Sequence, residues 1–356
     1  MLQFHKLTLI AREAAALDAY ALTLDVPESL RADYQFRAGQ HLVIRGELEG
    51  RAVRRTYSIV SAEGGPLRIG VRVQGAVSRF LAHDLPTGGQ LEVMTPNGRF
   101  TTVEQQRSRH YAAFAAGSGI TPILSIVSTL LASRPEVRIR LFYGNRNAAR
   151  TMFMPELMAL KNRFMTRLSI HWIMSAEPQE VALFNGRIDG DKLRALAAGV
   201  FDAAEIDEFL VCGPGEMIDS VSAALAAIGA PGRVHHERFA AAAPRVAAAG
   251  KGQPVTAPAS AAETAEVVMH MDGRRRSFTM ARSGQSILEA AEQVGIELPF
   301  SCRDGICSTC RARVVGGSVT MQRNQALEPW EVEAGFVLCC QARPITANVE
   351  LTYDEK

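Results

Sequence analysis

Cys302, Cys307 and Cys310 stand at C-x4-C-x2-C spacing, and Cys340 follows after twenty-nine intervening residues. Four thiolates at this spacing can hold a 2Fe-2S cluster, which commits the C-terminal part of the chain to a loop wound around iron and sulfide. Such a centre passes one electron at a time, so something upstream must feed it. Gly305 suits a tight loop that brings backbone N–H groups onto the cluster sulfurs. A structural zinc and a disulfide pair are the alternatives, but zinc sites usually take cysteines as two C-x2-4-C pairs and only one is present. Cys339 adjoins Cys340, and neighbours on an extended segment face opposite ways. The spacing therefore selects Cys340 as the fourth ligand and leaves Cys339 to the core.

The remaining 300 or so residues must house the electron source, and a chain of 356 residues is long enough for two or three cores. Hydrophobic residues make up 47% and charged residues 21%, ordinary for a globular protein. There is no run of eighteen apolar residues, and Met1-Leu2-Gln3-Phe4-His5-Lys6 lacks a signal-peptide core, so neither a membrane span nor export is expected. Six cysteines, five of them in the last fifth, suit a reducing cytoplasm. From Glu263 onward ten Lys+Arg face thirteen Asp+Glu, whereas the preceding part carries 29 against 24. That asymmetry would favour docking between an acidic and a basic module, although ordinary surface variation would produce it too. No basic stripe is interleaved with aromatics, so nucleic acid is not an expected partner.

Residues 1–103 read as a β domain. Ala21–Val26, His41–Arg45 and Leu67–Val73 are short strand-like runs between Gly- and Pro-rich turns, a barrel or sandwich pattern; one short helix is expected over Ser78–His83. Arg55, Thr56, Tyr57 and Ser58 close a strand: a bidentate phosphate donor, an aromatic face and a small hydroxyl, able to hold a flavin nucleotide by both ends. From 104 to 239 the pattern becomes α/β. An apolar run ends in Gly117-Ser118-Gly119-Ile120-Thr121-Pro122 and opens onto a helix over Ile123–Ala132, with Thr121 expected as N-cap and Pro122 as first helical residue. Such a helix start suits a pyrophosphate, though this is not the G-x-G-x-x-G fingerprint. Strands and helices then alternate to a final helix over Glu216–Ile228, giving a parallel sheet. Gly117–Pro122, the loop of Gly144, Asn145 and Arg146, and the turn of Cys212, Gly213, Pro214 and Gly215 fall at strand C-termini, where such sheets bind ligands. Residues 240–262 are Ala, Pro and Gly with scattered polar residues, a linker of roughly 25 Å reach. In 263–356, Asp272-Gly273 marks a hairpin, and Ser286 opens the helix before the cysteine loop.

Together these segments resemble the ferredoxin–NADP reductase superfamily fused to a C-terminal plant-type ferredoxin. More narrowly, Phe36–His41, Arg54–Ile59, Ala116–Pro122, Tyr143–Arg146, Gly186–Gly190 and His236–Phe239 look like the reductase-subunit family of the phenylacetyl-CoA epoxidase complex. The resemblance implies an antiparallel β-barrel flavin domain, an α/β parallel-sheet nucleotide domain and an α+β, β-grasp-like ferredoxin domain. It implies FAD held by Arg55, Thr56, Tyr57 and Ser58, with Gly75 and Ser78 contacting its phosphates and Arg72 among the cofactor-binding residues; the family's turn has a Gly-Gly pair where this chain reads Gln74-Gly75-Ala76-Val77-Ser78. It further implies a nicotinamide nucleotide beside Gly117, Gly119, Thr121, Pro122, Gly144, Asn145, Arg146, Gly213 and Pro214. Cys212 would border the place of hydride transfer, and Phe239 would cover the flavin. Arg146 and the likeness favour NADPH over NADH.

Nicotinamides give up two electrons together and the cluster accepts one, so FAD is expected to stand between them. The expected function is an NAD(P)H-dependent reductase, with a di-iron oxygenase, the phenylacetyl-CoA epoxidase, as electron acceptor. A reductase for a ring-hydroxylating or steroid oxygenase is the alternative acceptor reading. A redox sensor or docking subunit is the alternative from a different class.

Overall fold

The computed structural model describes residues 3–48, 51–101, 108–239, 264–327 and 329–355. The expected linker over 240–262 lies outside the described residues. The chain divides into two compact units, Leu2–Ala241 and Ala242–Lys356. Among the described residues no helix is long and apolar enough to cross a membrane.

The first unit begins with six antiparallel strands in the order Arg51–Ser58, His41–Leu48, Gln90–Met94, Phe4–Ala16, Ala19–Asp25 and Leu67–Arg72. The two outer strands meet through a bridge between Ile59 and Ile69, which closes the sheet into a barrel. Period-two alternation makes the interior: Leu7 and Leu9, Leu22 and Leu24, Leu42 and Ile44, Leu91 and Val93 all face one core. The expected short helix forms as a single turn, Ala76–Arg79, that widens into a π-turn over Phe80–Asp84.

The same unit continues into a five-stranded parallel sheet, ordered Arg233–Arg238, Glu208–Gly213, His110–Ala116, Arg138–Asn145 and Leu168–Met174. Alternate residues of the central strands feed different cores. Tyr111, Ala113, Ala115, Leu210 and Cys212 pack with Ile123, Val127 and the barrel residues Ala19, Ala38, Val60 and Phe100. Ala112, Phe114, Phe209 and Val211 pack on the opposite side with Leu193, Leu196, Val221 and Leu225 from the helices Gly190–Gly199 and Gly215–Ala227. Strand order reverses at His110–Ala116, which has successors on both sides, so the crevice for a ligand opens beyond the ends of this strand and Glu208–Gly213.

Two local expectations are corrected. The helix after the glycine loop spans Ile120–Ser133, preceded by a 3-10 turn over Gly117–Gly119, so its N-cap is Gly119 and not Thr121. The 3-10 turn already winds the chain into helical geometry, and the Thr121 hydroxyl donates to the Ser118 carbonyl at 2.9 Å instead of accepting from the helix start. Pro122 is tolerated in the first turn because its missing N–H would find no partner there. The strand Arg233–Arg238 was not anticipated: its sequence is polar, and it is ordered by pairing along one edge with Glu208–Gly213.

The second unit holds a mixed sheet ordered Arg274–Ala281, Thr264–Met271, Asn348–Thr352, Arg311–Gly316 and Phe336–Leu338. Its first hairpin turns at Asp272 and Gly273 with φ of 55° and 69°, as a two-residue turn of the I′ type requires. The helix Ile287–Gln293 starts with a capping box in which Ser286 accepts from the Glu289 N–H and Glu289 reaches back to the Ser286 N–H. Its apolar face, Ile287, Leu288, Ala290 and Ala291, packs on Val267, Leu338 and Leu351 of the sheet.

Candidate functional site

At the reversal point the two strand-end loops press together. The Cα of Gly119 lies so close to Cys212 that an added Cβ would stand 2.1 Å from the Cys212 carbonyl oxygen. Beyond these loops opens a cavity of about 700 Å³, lined among others by Arg72, Gly117, Gly144, Asn145, Arg146, Gly213, Pro214 and Phe239. All eight are site residues expected from the sequence. Gly119, Thr121, Pro122 and Cys212 do not line it: Gly119 packs beneath, Thr121 is 2% exposed inside the helix, and Cys212 is fully buried. Burial, and secondarily the Glu237 carboxylate, pushes the Cys212 thiol well above its ordinary range, so it is neutral and unreactive as an acid. The cavity also takes in Ser175, Arg187, Asp189, Glu216 and Ser220, to which the sequence assigned no role. The signal was present in Gly186–Gly190, which follows a strand end and stands in the family-like motif.

Arg72 ties the barrel to this cleft. Its guanidinium donates to the Arg150 carbonyl at 2.6 Å, its Nε is buried without a partner, and Arg150 pairs with Asp18 at 2.6 Å. On the barrel strand Arg51–Ser58 the expected flavin residues are arranged by the pleat. Arg55 is exposed and donates to the Arg54 carbonyl at 2.8 Å; Tyr57 is half-buried, its hydroxyl raised by burial; Ser58 is 2% exposed with its Oγ unpartnered. Ser78 Oγ accepts from the N–H groups of Gln74 at 2.9 Å and Gly75 at 3.0 Å, which winds the turn without a Gly-Gly pair. An aromatic face, an exposed guanidinium and a buried hydroxyl lacking a partner along one strand fit a flavin nucleotide lying along it. Glu237 and His41, missed as site residues, flank the same strip: His41 is 1% exposed, and its Nδ1 lies 3.5 Å from Glu237 Oε1.

In the second unit three residues within the cysteine loop take left-handed backbone, Arg303, Gly305 and Ser308, with φ of 58°, 73° and 52°. Gly305 also meets the Arg323 carbonyl, 2.8 Å from where a Cβ would be. This winding turns the Asp304 and Ile306 N–H groups onto Cys302 Sγ at 3.3 and 3.4 Å, and the Cys302 N–H onto Cys307 Sγ at 3.4 Å. Cys302 touches the thiols of Cys307 and Cys340, and Cys340 in turn touches Cys310. Donation from Cys307 and Cys340, with the two backbone donors, drives the Cys302 thiol far down, whereas Cys307 and Cys340 are driven up because they give their protons toward it. Thiols this crowded cannot all ionise unaided, and bound iron would supply the positive charge that lets four thiolates gather here.

Cys339 is 0% exposed in the core, its thiol raised by burial. Its backbone N–H donates to the Cys310 carbonyl at 3.0 Å. Among the described residues no group of three or more His, Cys, Asp or Glu side chains surrounds a point fit for one metal ion. The sulfurs form a chain of contacts, Cys307 to Cys302 to Cys340 to Cys310, and a donor set of four thiols fits a 2Fe-2S cluster. A second cavity, about 420 Å³, opens beside Cys340 between Arg303, Arg323 and Arg343.

Comparison with known proteins agrees with this geometry. Residues 6–102 match the oxidoreductase FAD-binding domain family, residues 114–223 the oxidoreductase NAD-binding domain family, and residues 269–344 the 2Fe-2S iron-sulfur cluster binding domain family. The chain is 39% identical over 361 residues to the E polypeptide of 1,2-phenylacetyl-CoA epoxidase from Escherichia coli K12, covering 100% of this chain and 99% of that protein. It is 32% identical to the ferredoxin reductase component of 3-ketosteroid-9-alpha-monooxygenase from Rhodococcus rhodochrous, over 98% and 96% of the two chains. Phthalate dioxygenase reductase, a solved structure, shares the fold at a TM-score of 0.58 and 23% identity, covering 98% of both chains. With FAD-binding, NAD-binding and 2Fe-2S domains in one polypeptide and end-to-end similarity to both curated relatives, the chain belongs to the family of oxygenase reductase components, oxidoreductases that carry FAD and a 2Fe-2S cluster together.

Proposed function

We propose that this reductase supplies electrons from NAD(P)H to the di-iron oxygenase of a phenylacetyl-CoA epoxidase. The observation that carries the acceptor assignment is the 39% identity, end to end, with the E polypeptide of that epoxidase. The flavin, when bound, accepts a hydride and releases electrons singly, which joins a two-electron donor to a one-electron carrier.

The chain's own residues would position these groups. Arg55 would hold the flavin pyrophosphate, Thr56 and Tyr57 its ring face, and Ser58 its reacting edge. Gly75 and the turn closed by Ser78 would receive phosphate. Gly117, Asn145, Gly213 and Pro214 would shape the nicotinamide cleft under Phe239, and Arg146 would face a nucleotide phosphate, favouring NADPH. Cys302, Cys307, Cys310 and Cys340 would ligate iron. We assign the domains as 1–103, 104–239 and 263–356, joined by 240–262, and the location as cytoplasmic.

The test pairs the purified reductase with the epoxidase's oxygenase component and phenylacetyl-CoA. Turnover driven by NADPH is expected; reduction of ferricytochrome c without any turnover would remove the acceptor assignment and leave the reductase standing. The 32% identity with a ketosteroid monooxygenase reductase favours a second reading. Faster turnover with a ketosteroid monooxygenase oxygenase component would select it.

A further inference from the structure

The cavity of about 420 Å³ beside Cys340 carries three guanidiniums on its wall, those of Arg303, Arg323 and Arg343. Two of them are compensated: Arg303 pairs with Glu292 and Arg323 with Asp304, each at 2.6 Å. Arg343 is not. Its Nε donates to the Gly284 carbonyl at 2.9 Å and its Nη1 to the Gln341 carbonyl at 3.3 Å, and among the described residues no carboxylate pairs with it. Carbonyl dipoles aim a guanidinium without cancelling its charge, so a half-buried cation is left on the wall of a concave site. The wall holds two carboxylates, Asp304 and Glu289, and Glu289 is engaged with the Ser286 N–H at 2.8 Å and the Ser286 hydroxyl at 3.0 Å. Three cations against two anions leave the wall net positive, in a unit that from Glu263 onward has ten Lys+Arg against thirteen Asp+Glu. Cys340 itself lines the cavity, and Gln341 ties the two sides together, its amide donating to the Arg303 carbonyl at 2.9 Å while its carbonyl receives Arg343.

We propose that this cavity is a docking pocket for the electron acceptor, in which Arg343 receives a carboxylate from an acidic face of the oxygenase protein beside Cys340. The proposal rests on the reading that electrons leave this chain through the four-cysteine loop for a separate oxygenase. A carboxylate entering the pocket meets the charge that the fold leaves unpaired, and a guanidinium held by backbone carbonyls is already oriented to take it. The acidic remainder of the unit repels the same partner elsewhere, so attraction at one place and repulsion around it favour the orientation that brings the partner to Cys340. Arg274, Arg275 and Arg276 form another cationic group in this unit. They are exposed on the edge strand Arg274–Ala281, where charge keeps an open edge from pairing with another chain, and they do not line the cavity. They therefore serve as the control for a mere effect of net charge.

The experiment uses two acceptors that share a fold and a haem and differ in charge: native ferricytochrome c, which is basic, and its succinylated form, whose lysines carry carboxylates. Each NADPH leaves as NADP+ and a proton and reduces two haems of either. With the wild-type holoenzyme, kcat/KM for the succinylated form is expected to fall as salt rises from about 10 to about 100 mM, over which the Debye length shortens from about 30 to about 10 Å. Arg343→Gln removes the cation, and Gln322→Glu adds an anion to the same wall while leaving Arg343 in place. Each is expected to lower that kcat/KM about tenfold and to flatten its salt dependence, whereas native cytochrome c is reduced as fast or faster, and Arg343→Lys recovers part of the loss. Titration calorimetry of the oxidised holoenzyme with succinylated cytochrome c, without NADPH, should show the same weakening. If Arg343→Gln loses iron or fails to fold, Gln322→Glu decides. An equal loss in Arg275→Gln would mean that only net charge counts, and equal loss with both cytochromes would mean that the pocket does not read charge; either overturns the proposal. Slower passage of electrons from flavin to cluster in the Arg343 variant, read by stopped flow, would assign the pocket to the chain's own flavin unit and overturn it too. The cytochromes do not depend on which oxygenase is the partner, so a wild-type reductase that drives no turnover of the epoxidase's oxygenase component refutes the acceptor reading alone.

Discussion

Gly119 and Cys212 meet backbone to backbone where the parallel sheet reverses its order, at a separation that leaves 2.1 Å between the Cys212 oxygen and any Cβ added at 119. Neither residue lines the nucleotide cavity, yet their contact sets the spacing of the two loops that do. Gly119→Ala is therefore expected to push the Gly117 and Gly213 loops apart and raise the KM for NAD(P)H tenfold or more. Its thermal midpoint should drop by several degrees, since a forced backbone shift costs about 1–3 kcal/mol. Gly75→Ala, where the added carbon meets nothing within 4 Å, is the control and should leave thermal stability unchanged.

The adjacent cysteines at the end of the chain should behave oppositely. Cys340→Ser removes a sulfur in contact with Cys302 and Cys310 and should abolish the visible iron–sulfur absorbance and most bound iron. Cys339→Ser puts a hydroxyl into a fully buried apolar site and should keep the cluster colour while losing about 1–3 kcal/mol of stability. Absorbance and iron analysis on both proteins check this, and the reverse pattern would exchange the two assignments.

Arg146 and Arg187 both line the cavity and have no side-chain partner among the described residues. A guanidinium without a carboxylate is suited to a nucleotide 2′-phosphate, and a charge-assisted bond to phosphate is worth about 1.5–3 kcal/mol. Replacing either with Ala should raise the KM for NADPH about ten- to a hundredfold and change that for NADH less than threefold. Parallel loss with both nucleotides would assign that arginine to the shared pyrophosphate.

Acid should loosen the edge of the parallel sheet before neutral pH does. Glu208 is 4% exposed and accepts from Ser108 at 2.8 Å, His235 at 2.6 Å and Arg233 at 2.5 Å. Burial alone would raise its carboxyl, but the bonds from His235, Ser108 and Arg233 outweigh burial and hold it below the ordinary carboxylate value. A depressed folded-state value means the stabilisation is complete above the unfolded carboxylate range, about pH 4.5, and disappears as pH falls through the folded value. Thermal melts should therefore show Glu208→Gln less stable than wild type at pH 7, with the gap closing below about pH 4.5. A gap that persists unchanged in acid would mean that packing, not charge, sets the cost.

Contiguous residues determined much of this molecule. The cysteine spacing names the cluster because three of the four thiols fall within one loop, while the fold brings Cys340 to them. Alternation in Ala21–Val26, His41–Arg45 and Leu67–Val73 gives strands because side chains on extended backbone change face at every step. Gly117 and Asp272-Gly273 mark turns that need left-handed backbone. What the tertiary structure alone decided are the meetings between distant segments. Strand order puts the Cys212 carbonyl under Gly119 and buries the thiol, which a motif at a strand end had seemed to expose. Pairing along a sheet edge makes a strand of Arg233–Arg238 against its polar sequence, and so carries Glu237 to His41. Local patterns fix how each segment folds, because they depend on a few neighbouring dihedrals. Which buried groups are left facing one another depends on the packing of whole sheets, and no single stretch of sequence encodes it.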